Sequence, residues 1–343
     1  MSAFKAVEYL DNVLHLIDQR TLPIEKLTIT CQTLDEVVFA IKDMIVRGAP
    51  AIGATAAYGM VIGANEAGNA LTLSKLNGIK AILDASRPTA VNLMWATKRI
   101  VDKIEASGLT EVNEMRALIE SEAHAIYNED ARHCKAMAEF GNTLIDQDDV
   151  ILTHCNTGAL ATVAYGTALG VIREAHSTGK NIHVYADETR PRLQGAKLTA
   201  WELMEEGIPS TLIPDSVAAT LIRDGKINKI IVGADRIANN GDTANKIGTF
   251  MLSALAKVYG VPFYVAAPTT TIDFDMTSGE AIEIEERDST EVTHIGNVRI
   301  APVGMPVYNP AFDVTPNANI TAIITEKGII KPPFTENIAK LRG

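Results

Sequence analysis

The chain has 343 residues, 47% of them apolar and 21% charged, with a formal charge of −11. Folding a chain of this length buries about three quarters of the surface its extended form exposes, and the length suits about two domains. That composition excludes a disordered chain, a collagen-like repeat and a disulfide miniprotein. The acidic balance argues against a dedicated nucleic-acid binder, which would carry a net basic surface. A small anionic substrate held by a few cations in a cleft stays compatible with it. Cys31, Cys134 and Cys155 are odd in number, far apart and form no CxxC pair. A disulfide framework and a cysteine metal centre are therefore not expected, and a reducing cytoplasm is the natural setting.

Residues 1–8 hold no apolar signal core. Val13–Ile17 and residues 26–30 are expected as short strands of a small antiparallel sheet. Thr33 and Glu36 then have the spacing of a capping box, with helical patterning running on to Val46. The uncharged stretch from Gly48 to Asn65 is too rich in glycine to resemble the roughly 20 strongly apolar residues of a membrane span. It is expected to be a buried helix, from Gly53 to Ala67, and no membrane partner is expected. Further helices are predicted over residues 90–107 and 110–140. In the second, Ile119, Ala123, Ile126, Cys134 and Met137 share one face, which makes Cys134 a core residue.

After Gly141 the rhythm changes. Five short apolar runs, at 150–152, 182–185, 211–213, 230–232 and 263–265, are separated at first by helix-length segments such as 160–176 and 196–206. Apolar strands alternating with helices imply an α/β fold with a parallel sheet covered on both faces. The domain division is placed at 125/126, giving a smaller, mostly helical domain with a short antiparallel sheet at 1–125 and the parallel-sheet domain at 126–343.

In such sheets ligands sit beyond the carboxyl ends of the strands. Those ends are followed by His154–Cys155–Asn156, Asp187–Glu188–Thr189–Arg190, Pro214–Asp215 and Gly233–Ala234–Asp235–Arg236. Asp215, ahead of Ser216 and a helix, has the position of a helix N-cap. Asp235 differs, because Gly233 and Ala234 before it allow close approach of backbone or ligand. A free cysteine is commonly a small core hydrophobe, yet Cys155 stands at a strand end, beside a run at 156–158 able to open a helix and present amides to an anion. His154 and Cys155 are neighbours on a strand and point to opposite faces, so they do not form a Cys–His nucleophilic pair. No histidine pair has ligand spacing, and no metal is assigned.

Phosphate signals are partial. Residues 48–55 imitate a P-loop, but Ala54 replaces its lysine, and no GxGxxG follows a strand, so no nucleotide cofactor is expected. What remains is Arg47 before a glycine-rich helix entrance, and Arg87 in Ser86–Arg87–Pro88–Thr89 before another helix. Each pairs a guanidinium with helix-terminal amides, an arrangement suited to a phosphate monoester.

Five motifs occur in order: residues 47–53 (RGAPAIG), 86–92 (SRPTAVN), 154–158 (HCNTG), 187–195 (DETRPRLQG) and 233–248 (GADRIANNGDTANKIG). Together they resemble the S-methyl-5-thioribose-1-phosphate isomerase family of methionine salvage, from Val13 to Lys327. The wider superfamily includes ribose-1,5-bisphosphate isomerases and regulatory subunits of a translation-initiation exchange factor. The resemblance implies a Rossmann-like C-terminal domain without a nicotinamide, no cofactor, a cytoplasmic homodimer and a sugar-phosphate substrate. By motif position it implies substrate contacts from Arg47, Gly48, Ala49, Arg87, Gln194, Asn245 and Lys246, a proton donor at Asp235, and a cysteine assisting the transition state at Cys155. Asp235 is expected in an apolar, desolvated setting that keeps it protonated. Alternative substrates are 5-deoxyribose 1-phosphate and ribose 1,5-bisphosphate, and the alternative of another class is a non-catalytic, ligand-binding regulatory subunit.

Overall fold

The computed structural model describes residues 4–88 and 91–342, and Thr89 and Ala90 of the 86–92 motif lie outside them. The chain forms two compact units, one of residues 1–134 with 158–166, the other of 135–157 with 167–343.

In the first unit Val7–Leu10 (β1), Val13–Ile17 (β2) and Thr28–Cys31 (β3) make an antiparallel sheet in that order. β1 adds to the two strands expected from sequence. Its signal is the pair Asp11–Asn12, both at positive φ, which closes a two-residue hairpin between Leu10 and Val13. Leu34–Lys42 (α1) starts at the expected capping box, with the Glu36 N–H donating to Thr33 Oγ1 and the Thr33 N–H to Glu36 Oε2. The uncharged segment becomes Ala49–Glu66 (α2), buried without interruption from Ala51 to Ala64. Because neighbours surround it on every side, it has no polar face, and periodicity did not mark its start. Leu73–Ser86 (α3), Val91–Ser107 (α4) and Val112–Asn142 (α5) complete the helices. The predicted face of α5 is buried throughout, and Cys134 is 1% exposed. Both the 125/126 division read from sequence and the 134/135 division of the units fall inside α5. Among the described residues no helix is long and apolar enough to cross a membrane.

The second unit begins with Val150–Thr153 (β4), Ala168–Ser177 (α6), His183–Asp187 (β5), Ala200–Glu205 (α7) and Ser210–Ile213 (β6). Val217–Arg223 (α8), Lys229–Val232 (β7), Arg236–Ala238 (β8), Thr243–Lys246 (β9), Thr249–Tyr259 (α9) and Phe263–Ala266 (β10) follow. After Ile272–Asp273 (β11), Thr290–Thr293 (α10), His294–Ile295 (β12) and Val298–Arg299 (β13) come Phe312–Thr315 (β14), Ala322–Thr325 (β15), Gly328–Ile330 (β16) and Phe334–Ala339 (α11). The main sheet has the order β16-β15-β10-β7-β4-β5-β6, parallel except for β16. All five apolar runs read from sequence lie in its parallel part. β7, β10 and β15 are buried along their whole length, as a strand covered on both faces must be. A smaller sheet, β11-β8-β9-β14, carries the 233–248 motif on its β8–β9 hairpin.

Two helical expectations change. The segment 160–176 is helical only from Ala168, because residues 158–166 belong to the first unit, and Tyr165 and Gly166 both take positive φ before the helix can start. The segment 196–206 opens with a widened π turn over Gly195–Thr199 before α7. Gly195 is required there: a Cβ would lie 1.6 Å from the Asp187 carbonyl oxygen. Gly195→Ala is expected to destabilise the fold by about 1–3 kcal/mol, as overpacking against backbone does. A helical Gly→Ala change normally stabilises. A raised denaturation midpoint would therefore show that the Asp187 carbonyl does not crowd this position.

Candidate functional site

Leaving β4, the chain of the second unit runs to β5 and then β6 on one side, while β7 pairs with β4 on the other. The strand order therefore reverses between β4 and β7, and such a switch point is where an open α/β sheet leaves a crevice beyond its strand ends. Leu152 pairs with Ile230, so His154 and Cys155 leave β4 at the level where Gly233 leaves β7. Cys155 and Asp235 thus come from the two strands flanking this switch point. The close neighbour of Gly233 is a side chain rather than the backbone or ligand expected: a Cβ there would meet the Thr157 methyl at 2.6 Å.

Cys155 takes φ +63, a left-handed conformation costly for a residue with a side chain. Its backbone is fixed on both sides. The Cys155 N–H donates to Thr189 Oγ1 at 2.9 Å, and the Thr199 hydroxyl donates to the Cys155 carbonyl at 2.6 Å. Residues 156–158 do not open a helix, contrary to the sequence reading. Instead the Asn156 amide donates to Thr199 Oγ1 and to the buried Glu202 carboxylate at 2.8 Å. The Cys155 side chain stays half-buried, whereas Cys31 and Cys134 are buried.

The His154 ring, just beyond the end of β4, is fully buried. Its Nδ1 lies 2.9 Å from the buried Asp187 Oδ2 and its Nε2 2.9 Å from the carbonyl of the partly buried Ile247. Burial opposes charging this ring, but the Asp187 carboxylate and the Ile247 carbonyl outweigh it and hold the histidine pKa above its ordinary value. Asp215 is not the helix cap expected of it. Its two oxygens accept the N–H groups of Thr189 and Arg190 at 2.7 and 2.8 Å, and so shape the loop that supports Cys155. Ligand atoms of His154, Asp187 and Asp215 lie within 4.8 Å of one another. Protein hydrogen bonds already engage both ring nitrogens and both Asp215 oxygens, so the trio is built as a hydrogen-bonded corner.

The 233–248 motif brings Asn245 and Lys246 to the end of β9, both buried. Asn245 donates to Thr249 Oγ1 at 2.9 Å, and Lys246 Nζ donates to the Ala311 carbonyl at 2.8 Å while lying 4.4 Å above the Phe312 ring. Burial lowers the Lys246 pKa, with charges on Cys155, Arg287 and Asp235 close enough to act on it. Asp235 itself is exposed, which corrects the expected desolvated setting. It lies on the turn between β7 and β8, where its N–H donates to the Ala244 carbonyl. Gln194 is partly buried just before the π turn, its Oε1 inaccessible and without a hydrogen-bond partner among the described residues.

In the first unit, Arg47 Nη2 donates to the Gln19 carbonyl at 3.3 Å and adds to the cations beside Asp18. Gly48 caps α2 at φ +94, and a Cβ there would sit 2.1 Å from the Ala161 carbonyl oxygen. Pro50 has no N–H and that of Ala51 donates to Ala161, so neither offers an amide to a ligand at this helix entrance. Arg87 is partly buried at the C-terminal cap of α3.

Sequence reasoning placed Thr189 at a strand end without giving it a role, and missed Thr199 and Asp313. Asp313, on β14, accepts the Gly248 and Phe250 N–H groups at the start of α9. Each acts across more than forty residues of chain or within a loop of no fixed pattern, so no local spacing marks them.

The family model described as the Initiation factor 2 subunit family matches residues 45–332. A protein of Thermoanaerobacter sp. (strain X514) named methylthioribose-1-phosphate isomerase is 64% identical, with both chains fully covered. One of the same name from Acetivibrio thermocellus is 55% identical over 98% of this chain and all of its own. The crystal structure of 5-methylthioribose 1-phosphate isomerase from Pyrococcus horikoshii has a TM-score of 0.95 at 45% identity, covering 99% of this chain and 96% of that one. A structure from A. fulgidus described as translation initiation factor eIF-2B, subunit delta, has a TM-score of 0.91 at 44% identity, with 99% of each chain covered. The chain belongs to the Initiation factor 2 subunit family, grouped within it with the methylthioribose-1-phosphate isomerases.

Proposed function

We propose that this protein is an aldose–ketose isomerase that converts 5-methylthioribose 1-phosphate to 5-methylthioribulose 1-phosphate in methionine salvage. The observation that carries this reading is 64% identity, over the whole of both chains, to a protein named for that activity. The phosphate on the anomeric oxygen blocks the hemiacetal opening an ordinary aldose would use. The enzyme has to help the ring C–O bond break and then move hydrogen from C2 to C1.

Asp235 is our choice for the group that protonates the ring oxygen, and Cys155 for the group beside the reacting carbons. Since Asp235 is exposed, the substrate lying over it has to supply the shielding from water that a general acid needs. Arg47 and Arg87, with the Gly48 and Ala49 amides, are assigned to the phosphate, and Gln194, Asn245 and Lys246 to phosphate or sugar oxygens. Fixing the non-reacting phosphate also orients the reacting carbons, so these contacts serve the rate as well as affinity. We assign catalysis to the parallel-sheet domain of 126–343 and phosphate contacts in part to the domain of 1–125. A cytoplasmic homodimer completes the reading, and light scattering on the purified protein gives its mass.

The A. fulgidus neighbour supports a second reading, a regulatory subunit that binds without turning over. Incubating purified protein with 5-methylthioribose 1-phosphate and following the ketose by NMR separates the two. Ketose formation is expected, and its absence at enzyme concentrations near those of substrate removes the isomerase. Turnover is expected to be higher on the methylthio sugar than on 5-deoxyribose 1-phosphate or ribose 1,5-bisphosphate. Asp235→Asn should lower kcat by about 10²–10⁴-fold, the usual contribution of a general acid, while substrate binding persists. Near-parental turnover would remove Asp235 from the mechanism. Arg87→Ala should raise KM about tenfold or more, since a charge-assisted hydrogen bond contributes roughly 1.5–3 kcal/mol. An unchanged KM would reject its phosphate role.

A further inference from the structure

Beyond the groups assigned to substrate, we infer that His154 is a positioning residue that holds Cys155 in register with the Asn245–Lys246 turn. The inference rests on the isomerase reading for its meaning in turnover, and on geometry alone for its structural part.

His154 is the residue immediately before Cys155, and its ring is fully buried. The imidazole sits just beyond the end of β4, where the chain turns into Cys155. There the ring spans three elements of the second unit. Nδ1 is held by Asp187 at the end of β5, and Nε2 by the carbonyl of Ile247, next in chain to Lys246. The carbonyl can only accept, so Nε2 carries the proton toward Ile247, and the remaining proton is shared between Nδ1 and Asp187. The ring also sets the shape of the turn: a Cβ on Gly248 would lie 2.9 Å from His154 Cε1.

The turn has little other freedom. The Ile247 N–H donates to the Ala311 carbonyl, the Gly248 N–H to Asp313, and the Thr249 hydroxyl to the Lys246 carbonyl. These bonds tie the turn to β14 and to itself. Among them, the His154–Ile247 bond is the one that ties it to the residue carrying the thiol along. A rigid link matters because Lys246 is close enough to Cys155 for their charges to interact, and such an interaction depends steeply on separation.

Two substitutions separate the links. The amide nitrogen of asparagine falls near the place of Nδ1, and that of glutamine near Nε2. His154→Asn therefore keeps the bond to Asp187 and loses Ile247, whereas His154→Gln keeps Ile247. His154→Asn is expected to lower kcat about 10²-fold, the cost of a misplacement near 1 Å, with KM changed less than threefold. His154→Gln should recover most of that loss. In the absence of substrate, iodoacetamide labelling of Cys155, located by peptide mass spectrometry, should have its pH–rate profile moved to higher pH in the Asn variant and kept in the Gln variant. Equal effects of the two variants on kcat and labelling, or parental values in His154→Asn, would overturn the positioning role. If the parent chain turned over no sugar phosphate, the functional reading would fail while the labelling comparison still decided this one.

Discussion

Everything chemical in the second unit depends on how the chain leaves β4. The strand order reverses between β4 and β7, so the polypeptide after Thr153 cannot continue along the sheet without closing the crevice that the reversal opens. It turns at once, and the residue that turns is Cys155 at φ +63. Glycine would take that conformation without cost, whereas a cysteine there requires the surroundings to over-determine it. Thr189 and Thr199 hold its two peptide groups, Asp215 holds the loop of Thr189, and Glu202 holds Asn156 one residue on. The thiol is thus placed by hydrogen bonds to the backbone that carries it.

The charge pattern follows a related logic. The chain is acidic overall, yet a buried ammonium stands at the end of β9. Lys246 gives up solvation to lie over Phe312 and against a carbonyl, and burial lowers its pKa accordingly. Another buried ammonium, that of Lys229 at the far end of β7, is treated in the opposite way. Burial works against its charge too, but Asp146 and Asp149 outweigh it and raise its pKa. Two carboxylates complete Lys229, which makes it structural. Lys246 instead rests against a neutral carbonyl and an aromatic ring, with no carboxylate hydrogen-bonded to it among the described residues.

Much of this was legible in the chain. The parallel strands declared themselves as apolar runs, because a strand covered on both faces has no polar side to interrupt it. The rule for strand ends singles out Cys155 and Asp235, and the fold places them beyond adjacent strands. The capping box at Thr33 and the buried face around Cys134 were equally local. What stayed hidden depends on distance along the chain. Asp215 reads as a helix cap from its neighbours, and only the fold shows its carboxylate bound to a loop twenty-five residues back. The segment 158–166 has the composition of a helix but is bound instead to the first unit, where the Ala161 carbonyl accepts from Ala51. Asp235 was expected to be desolvated, and no sequence pattern states how far a turn between β7 and β8 stands out into water.

The same partition explains how one scaffold can carry relatives with different names. The positions that the fold cannot change are those where backbone meets backbone or a side chain fills the core. Gly195 under the Asp187 carbonyl and Gly48 under that of Ala161 are two of them. Asp235 is exposed and Cys155 half-buried, and neither side chain supports the core. Under the roles proposed for them, replacing them removes the chemistry while leaving the sheet and the turn in place. A chain of this family could then retain its shape yet serve as a binding subunit. Fold similarity to a structure described as a translation factor subunit and high identity to proteins named as isomerases are therefore compatible findings.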